Sequence, residues 1–134
     1  MASLISVEGI GEVYTGKLKV AGIRSAQALL AAGATPKGRQ KLAAKSGISE
    51  ALILRWVNHV DLFRIKGVGE EYADLLEAAG VDTVVELAQR VPAHLHEKLI
   101  ATNQAHKRVR KLPAQAQVKK WISQARRLPR VVTY

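Results

Sequence analysis

The side chains best suited to chemistry are the basic residues of the last third of the chain, and that chemistry is the binding of a polyanion. Residues 91–134 carry ten Lys and Arg against one carboxylate, Glu97. Eight of these cations form two groups that we expect to neutralise backbone phosphates: Lys107, Arg108, Arg110 and Lys111, and Lys119, Lys120, Arg126 and Arg127. The second group lies on a predicted amphipathic helix whose apolar face includes Trp121, so we expect Trp121 in the core.

The charge is unevenly distributed along the 134 residues, whose formal net charge is +10. Residues 13–60 carry eight Lys and Arg against Glu50 alone, whereas residues 61–90 carry three against seven carboxylates. A polyanion would be attracted to the two ends and repelled by the middle. In the first basic segment, three residues of one predicted helix are candidate phosphate contacts: Lys37, Arg39 and Lys41.

A segment that occurs twice, 58 residues apart, contains a second candidate site. The two copies, VEGIGEVYTGKLKVAGIRSAQALL at 7–30 and IKGVGEEYADLLEAAGVDTVVELA at 65–88, share glycines and core-type residues. Each begins with a Gly-apolar-Gly turn that opens a helix, and the two turns contain Gly9, Ile10 and Gly11, and Gly67, Val68 and Gly69. Unpaired N–H groups at a helix N-terminus bind phosphate readily. We call 7–11 the first glycine turn and 65–69 the second glycine turn.

The charges around the two glycine turns differ. Glu70 and Glu71 occupy the first helical turn after the second glycine turn, where a phosphate would dock, so we predict that this turn is structural. Lys17 and Lys19 follow the first glycine turn and are candidate phosphate contacts, although Glu12 lies beside it. The alternative for both turns is that glycine is present only because the backbone needs a positive φ.

A second pattern typical of DNA-binding proteins lies at 39–56, RQKLAAKSGISEALILRW. The segment is similar to a helix-turn-helix, which has a small residue in its first helix, a glycine at the turn, a capping residue and buried apolar residues. The residues at these positions are Ala43, Gly47, Ile48, Ser49, Ile53 and Trp56. The side chains that would meet base edges include Glu50, which opposes phosphate, and Leu54, which cannot form hydrogen bonds. We therefore favour a well-capped helical corner over sequence-specific recognition.

The secondary structure that must position these groups is predicted to be almost wholly helical, because apolar residues recur at intervals of three and four residues. We expect an all-α fold of about eight short helices in two pseudo-repeated halves, 1–60 and 61–134. The halves are expected to share one core as one compact domain, with an extended C-terminal tail. Capping patterns predict helices after Ser25, Thr35, Ser49 and Asp82, and prolines predict helices opened by Pro92 and Pro113.

The repeated segment resembles the helix-hairpin-helix motif, which runs apolar-Gly-apolar-Gly, three residues, Ala, two residues, Leu. The second copy matches at Ile65, Gly67, Val68, Gly69, Ala73 and Leu76. The first copy matches at Val7, Gly9, Ile10, Gly11 and Leu18, with Thr15 at the Ala position. The whole chain is similar to a bacterial family of unknown function built from tandem helix-hairpin-helix units with a SAM-like helical fold. This resemblance implies turns that grip backbone phosphate without reading sequence, sometimes with a bound monovalent cation.

Catalysis has little support in the sequence. The chain has no cysteine, no phosphate loop, no HExxH and no GxSxG. His94 and His96 are two residues apart and would point away from each other on a helix, so they would not chelate one metal. We expect no enzyme activity, no metal and no cofactor.

Two functions from different classes remain. The leading prediction is a sequence-nonspecific nucleic-acid-binding module for duplex DNA or structured RNA, since an aromatic content of 4% argues against stacking on single strands. The alternative is a protein–protein scaffold that keeps a helix-hairpin-helix framework without DNA binding. No run of about 18 apolar residues occurs, so we expect no membrane partner and a cytoplasmic location.

Overall fold

In a computed structural model, which describes residues 3–134, the regular secondary structure is entirely helical. The described residues form a short 3-10 helix, Leu4–Ser6, and eight α-helices, and no strand. The α-helices are α1 Glu12–Val20, α2 Ala26–Gly33, α3 Pro36–Ser46, α4 Glu50–Leu62, α5 Glu70–Ala78, α6 Val84–Ala88, α7 Pro92–His106 and α8 Gln115–Arg127. The predicted all-α class and number of helices are confirmed.

Short-range capping explains where four of the eight described α-helices begin, namely α2, α3, α4 and α6. The Ser25 hydroxyl accepts a hydrogen bond from Ala28 N–H at 3.1 Å, and the Thr35 hydroxyl accepts one from Gly38 N–H at 3.0 Å. Such bonds satisfy N–H groups that the helix itself leaves without a partner. The predicted start after Asp82 is wrong by one residue, because Thr83 supplies the cap.

The chain divides into two compact units. The first unit runs to Asp61 and includes Val131–Tyr134, and the second unit is Leu62–Arg130. The predicted division after residue 60 differs from this by one residue. The division also assigns the last four residues to the first unit, whereas the sequence prediction placed them with the second half.

Each unit has its own tryptophan in a buried position. In the first unit, Trp56 of α4 is 1% exposed and its ring lies 5.0 Å from the Tyr14 ring, centroid to centroid. In the second unit, Trp121 of α8 is also 1% exposed and its ring lies 5.2 Å from that of Tyr72. The apolar stripe of α8 is completed by Val118, Ile122 and Ala125, all buried. The expectation that Trp121 belongs to a core, and is not a stacking platform, is confirmed.

The end of the chain packs on the first unit without regular secondary structure. Thr133 N–H donates to the Ala34 carbonyl at 2.8 Å, and the Tyr134 hydroxyl donates to Asn58 Oδ1 at 2.9 Å. Val132 between them is 2% exposed. The last residues of the chain therefore belong to the packed body of the first unit.

No helix in the described part of the chain is both long enough and apolar enough to cross a membrane.

Candidate nucleic-acid interface

The first glycine turn reverses the chain at Gly9 and leads into α1. Gly9 has φ of 92°, and Ile10 N–H donates to the Val7 carbonyl at 3.1 Å. The Ile10 side chain is buried, so this residue has only backbone atoms to offer a ligand. Gly11 is the N-cap of α1 and provides no capping side chain. The first N–H groups of α1 are therefore without the side-chain cap that α2, α3, α4 and α6 possess.

The lysines predicted to assist the first glycine turn lie toward the other end of α1. Lys17 and Lys19 are both exposed, but at the normal helical rise they are about 8 and 11 Å along the axis from Glu12. Lys17 Nζ lies 5.8 Å from the centroid of the Tyr14 ring. The structure therefore does not concentrate these cations at the turn, where Glu12 is the charged residue of the first helical turn.

The second glycine turn has the same backbone conformation as the first, but it is followed directly by two carboxylates. Gly67 has φ of 97°, Val68 N–H donates to the Ile65 carbonyl at 3.0 Å, and Gly69 is the N-cap of α5. Glu70 and Glu71 follow at once and are exposed. Two carboxylates therefore stand where an anion would be attracted to the helix dipole.

Only the first glycine of each turn has a positive φ. Gly11 has φ of −96° and Gly69 has φ of −100°, and a Cβ built on either would meet nothing within 4 Å. The alternative that glycine is present only for a positive φ therefore does not explain Gly11 and Gly69. It holds for Gly9 and Gly67.

Helix α3 presents a row of exposed lysines, but Arg39 is not part of it. Lys37, Lys41 and Lys45 are spaced by four residues and exposed. Arg39 is 5% exposed, donates from Nη1 to the Gly33 carbonyl at 2.8 Å and donates from Nη2 to the Thr133 carbonyl at 2.7 Å. The assignment of Arg39 to the phosphate-binding set is wrong, because its charge is used inside the first unit.

The loop after α7 displays four exposed cations on a fixed backbone. The cations are Lys107, Arg108, Arg110 and Lys111. Asn103 holds the loop by accepting from Val109 N–H at 2.9 Å and donating to the Val109 carbonyl at 3.1 Å. Val109 is buried at 8% exposure, which turns its neighbours outward. Arg108 lies 3.5 Å from Asp74, so part of its charge is neutralised.

Helix α8 carries the second group of cations opposite its buried face. At 100° per residue, the four exposed side chains occupy an arc of about 120°, centred away from Trp121. They are Lys119, Lys120, Arg126 and Arg127. Arg126 also donates from Nε to the Ala88 carbonyl at 3.2 Å, which ties the end of α8 to the end of α6.

The helical corner at α3 and α4 is formed as its capping pattern predicts. Gly47 ends α3 with φ of 72°, and the Ser49 hydroxyl accepts from Leu52 N–H at 3.2 Å. Ile48, Ile53 and Trp56 are buried. The corner therefore has a structural reason for Gly47, Ile48, Ser49, Ile53 and Trp56.

Metal ligation finds no support in the described residues, where no group of three or more His, Asp or Glu side chains converges. His96 Nε2 lies 3.0 Å from the Pro113 carbonyl oxygen, whereas the nearby His94 is exposed.

Sequence reasoning missed an exposed apolar strip on α1. Val13 is 72% exposed and Val20 is 86% exposed, and the spacing of seven residues places them on one face. The signal was available in the repeat, because the second copy has Glu71 where the first has Val13.

A family model described as Domain of unknown function (DUF4332) matches residues 8–128, so the chain belongs to that family. The matched region includes most of the first glycine turn, all of the second and both C-terminal groups of cations. No curated protein and no solved structure matches the chain.

Proposed function

We propose that this member of the family binds the sugar-phosphate backbone of nucleic acid without reading its sequence. The observation that carries the proposal is the outward arc of α8, where four exposed cations lie opposite a fully buried apolar stripe. A helix anchored in this way holds its charges in a fixed arrangement. A further four cations project from the loop at 107–111 in the same unit.

The balance of charge supports a polyanionic ligand over a small acidic one. Glu97 is the single carboxylate between residues 91 and 134, so the exposed cations have few partners within this segment. Eight cations exceed what one small anion needs, whereas nucleic acid presents a phosphate at every nucleotide. Release of the counterions condensed on the nucleic acid would drive the association.

The glycine turns fit this proposal unequally. Under the helix-hairpin-helix interpretation, the first glycine turn is a secondary phosphate contact through backbone N–H groups of α1. Gly11 has no steric need to be glycine, and a glycine there allows close approach to the helix N-terminus. The second glycine turn serves as a structural element, because Glu70 and Glu71 repel phosphate.

A duplex is favoured over a single strand. Both tryptophans are buried, and among the described residues Tyr134 is the one large aromatic side chain that is mostly exposed, at 63%. Single-stranded binding without sequence preference relies on exposed aromatics for base stacking. Duplex DNA and structured RNA both present the phosphate rows that the cations require.

The direct test is a fluorescence anisotropy titration of the full chain with labelled duplex DNA, duplex RNA and single-stranded DNA, each at several salt concentrations. Neutralising four to six phosphates gives a slope of log affinity against log salt of about −4 to −5 on B-DNA. Scrambled duplexes of equal length should bind with similar affinity. Absence of binding to all three ligands at low salt would reject the proposal.

A protein–protein scaffold is the second candidate, and the exposed strip of Val13 and Val20 favours it. A protein partner on this face of α1 would bury both valines, each of which is more than 70% exposed. The acidic first turn of α5 would suit a basic partner. This candidate takes precedence if the nucleic-acid titrations fail.

A further inference from the structure

The first unit contains an open cavity of about 230 Å³ beside α2 and α3. Its lining comes from the end of α1, from α2 and from one face of α3: Ala21, Ile23, Ala32, Gly38, Lys41, Leu42 and Lys45. Ile23 and Leu42 are buried and form an apolar wall, whereas Lys41 and Lys45 are exposed at the rim, one helical turn apart.

Comparison of the two copies explains why the cavity is open. Ala32 is the third residue after Leu29, and the third residue after the equivalent Leu87 is Arg90. Arg90 Nη2 donates to the Gly80 carbonyl at 3.2 Å and to Glu86 Oε1 at 2.8 Å. The second unit therefore fills this position with a guanidinium group and its carboxylate partner.

The space around the matching glycine gives independent evidence. A Cβ built on Gly80 would lie 3.7 Å from Lys98 Nζ and 4.0 Å from Arg90 Nη2, whereas one built on Gly22 would meet nothing within 4 Å. At Gly38, a Cβ would overlap the carbonyl oxygen of Ala32, so α3 lies directly against α2 at two residues that line the cavity. The cavity is a consequence of small residues at defined positions.

The charge at the rim is uncompensated. Within the described residues neither Lys41 nor Lys45 forms an ion pair, and Glu50 is the single carboxylate between residues 13 and 60. An apolar wall below two unpaired ammonium groups suits a ligand with a short carbon chain and one anionic end.

We propose that this cavity binds a small organic anion, with its charged group between Lys41 and Lys45 and its carbon chain against Ile23, Ala32 and Leu42. Short aliphatic carboxylates and alkyl phosphates share this chemistry. The volume is below that of typical drug-sized sites, so the ligand has about five to nine non-hydrogen atoms and a dissociation constant on the order of 1 mM.

The test is an NMR titration of the ¹⁵N-labelled full chain with four probes at constant ionic strength: pentanoate, pentyl phosphate, inorganic phosphate and 1-pentanol. We expect saturable shifts of the amides of Gly22, Ile23 and Gly38 with pentanoate, pentyl phosphate or both, which also identifies the preferred anion. Inorganic phosphate and 1-pentanol each lack half of the recognised chemistry and should bind at least about tenfold more weakly. Equal binding of 1-pentanol, or no saturable shift with either organic anion up to about 20 mM, overturns the proposal.

Variants locate the site. Ala32→Arg introduces the side chain that fills the second unit and should abolish the shifts. Should that variant fail to fold, the double variant Lys41→Met and Lys45→Met retains the cavity and should weaken pentanoate at least about tenfold while leaving 1-pentanol unchanged. Lys37→Met, on the same helix but outside the cavity lining, is the matched control. If Lys37→Met weakened pentanoate binding as much as the double variant does, the anion would be attracted by the overall charge of the protein. That result would overturn the proposed site.

Discussion

The indole of Trp121 packs directly against Gly67, because a Cβ at position 67 would lie 3.1 Å from Trp121 Nε1. The first unit repeats this relationship between Gly9 and Trp56 at 3.2 Å. Both glycines also have a positive φ, a conformation that disfavours every L side chain. Gly9 and Gly67 are therefore required to be glycine for two reasons, the backbone conformation and the nearby indole. Neither reason applies to Gly11 or Gly69.

Gly67→Ala should lower the free energy of unfolding by about 1–3 kcal/mol through backbone strain and contact with the indole. Urea denaturation followed by tryptophan fluorescence measures the change. Gly69→Ala is the matched control, since its backbone is extended and its surroundings are open, and it should cost less than about 1 kcal/mol. Equal losses in the two variants would contradict the assignment of the turn to Gly67.

The helices could be predicted from local sequence signals, whereas contacts between residues far apart in the sequence could not. Thr35, Ser49 and Pro92 act on residues within one turn, so the sequence identified these helix starts correctly. The role of Arg39 depends on Thr133, which lies 94 residues away, and no pattern in the sequence connects the two. The exposure of the α8 cations was predictable because the helical period places them opposite Trp121.

Replacing Lys119, Lys120, Arg126 and Arg127 together by Gln should reduce the magnitude of the salt slope of duplex binding by about 3.6 if all four contact phosphates. Anisotropy titrations at several salt concentrations measure the slope, and circular dichroism checks that helix content is kept. The matched control changes Lys17, Lys19, Lys37 and Lys45 to Gln, which removes the same charge from the first unit. The proposal requires this control to change the salt slope less than the α8 variant does. Equal changes in the two variants would show that binding depends on net charge alone.

The second glycine turn offers a test by gain of function. Glu70→Lys with Glu71→Lys removes two carboxylates from the first turn of α5 and adds two cations at the end of the helix where an anion is favoured. Duplex affinity should rise by about tenfold or more at low salt. The reciprocal change, Lys17→Glu with Lys19→Glu, should lower it. Unchanged affinity in the first variant would show that this face of α5 does not approach nucleic acid.

Asp82 gives the second unit a predicted pH dependence. Burial raises the pKa of the Asp82 carboxyl, and the nearby charges of Glu77 and Glu86 raise it further while Arg90 lowers it. The folded state therefore binds more protons than the unfolded state between the ordinary pKa of about 3.9 and the higher folded value, so stability falls as pH rises through that window.

Asp82→Asn removes this penalty and should stabilise the protein at pH 7 by less than about 1 kcal/mol, since the side chain is largely solvated. The difference from the parent should vanish near pH 3, where the carboxyl is protonated in both states. Urea denaturation at the two pH values measures it, with Glu97→Gln as the control for loss of one charge. A larger benefit at pH 3 than at pH 7 would reverse the sign and exclude this mechanism.

Arg39 should stabilise the first unit and contribute nothing to phosphate binding. Its guanidinium donates to the carbonyls of Gly33 and Thr133 and lies 6.0 Å from the Tyr134 ring, so Arg39→Met leaves buried acceptors without a donor. The free energy of unfolding should fall by about 2–3 kcal/mol. Lys37→Met, which removes the same charge from an exposed position of α3, should change stability by less than about 0.5 kcal/mol. Denaturation and salt-dependent anisotropy on both variants separate the roles, because a smaller salt slope in Arg39→Met with unchanged stability would return Arg39 to the binding surface.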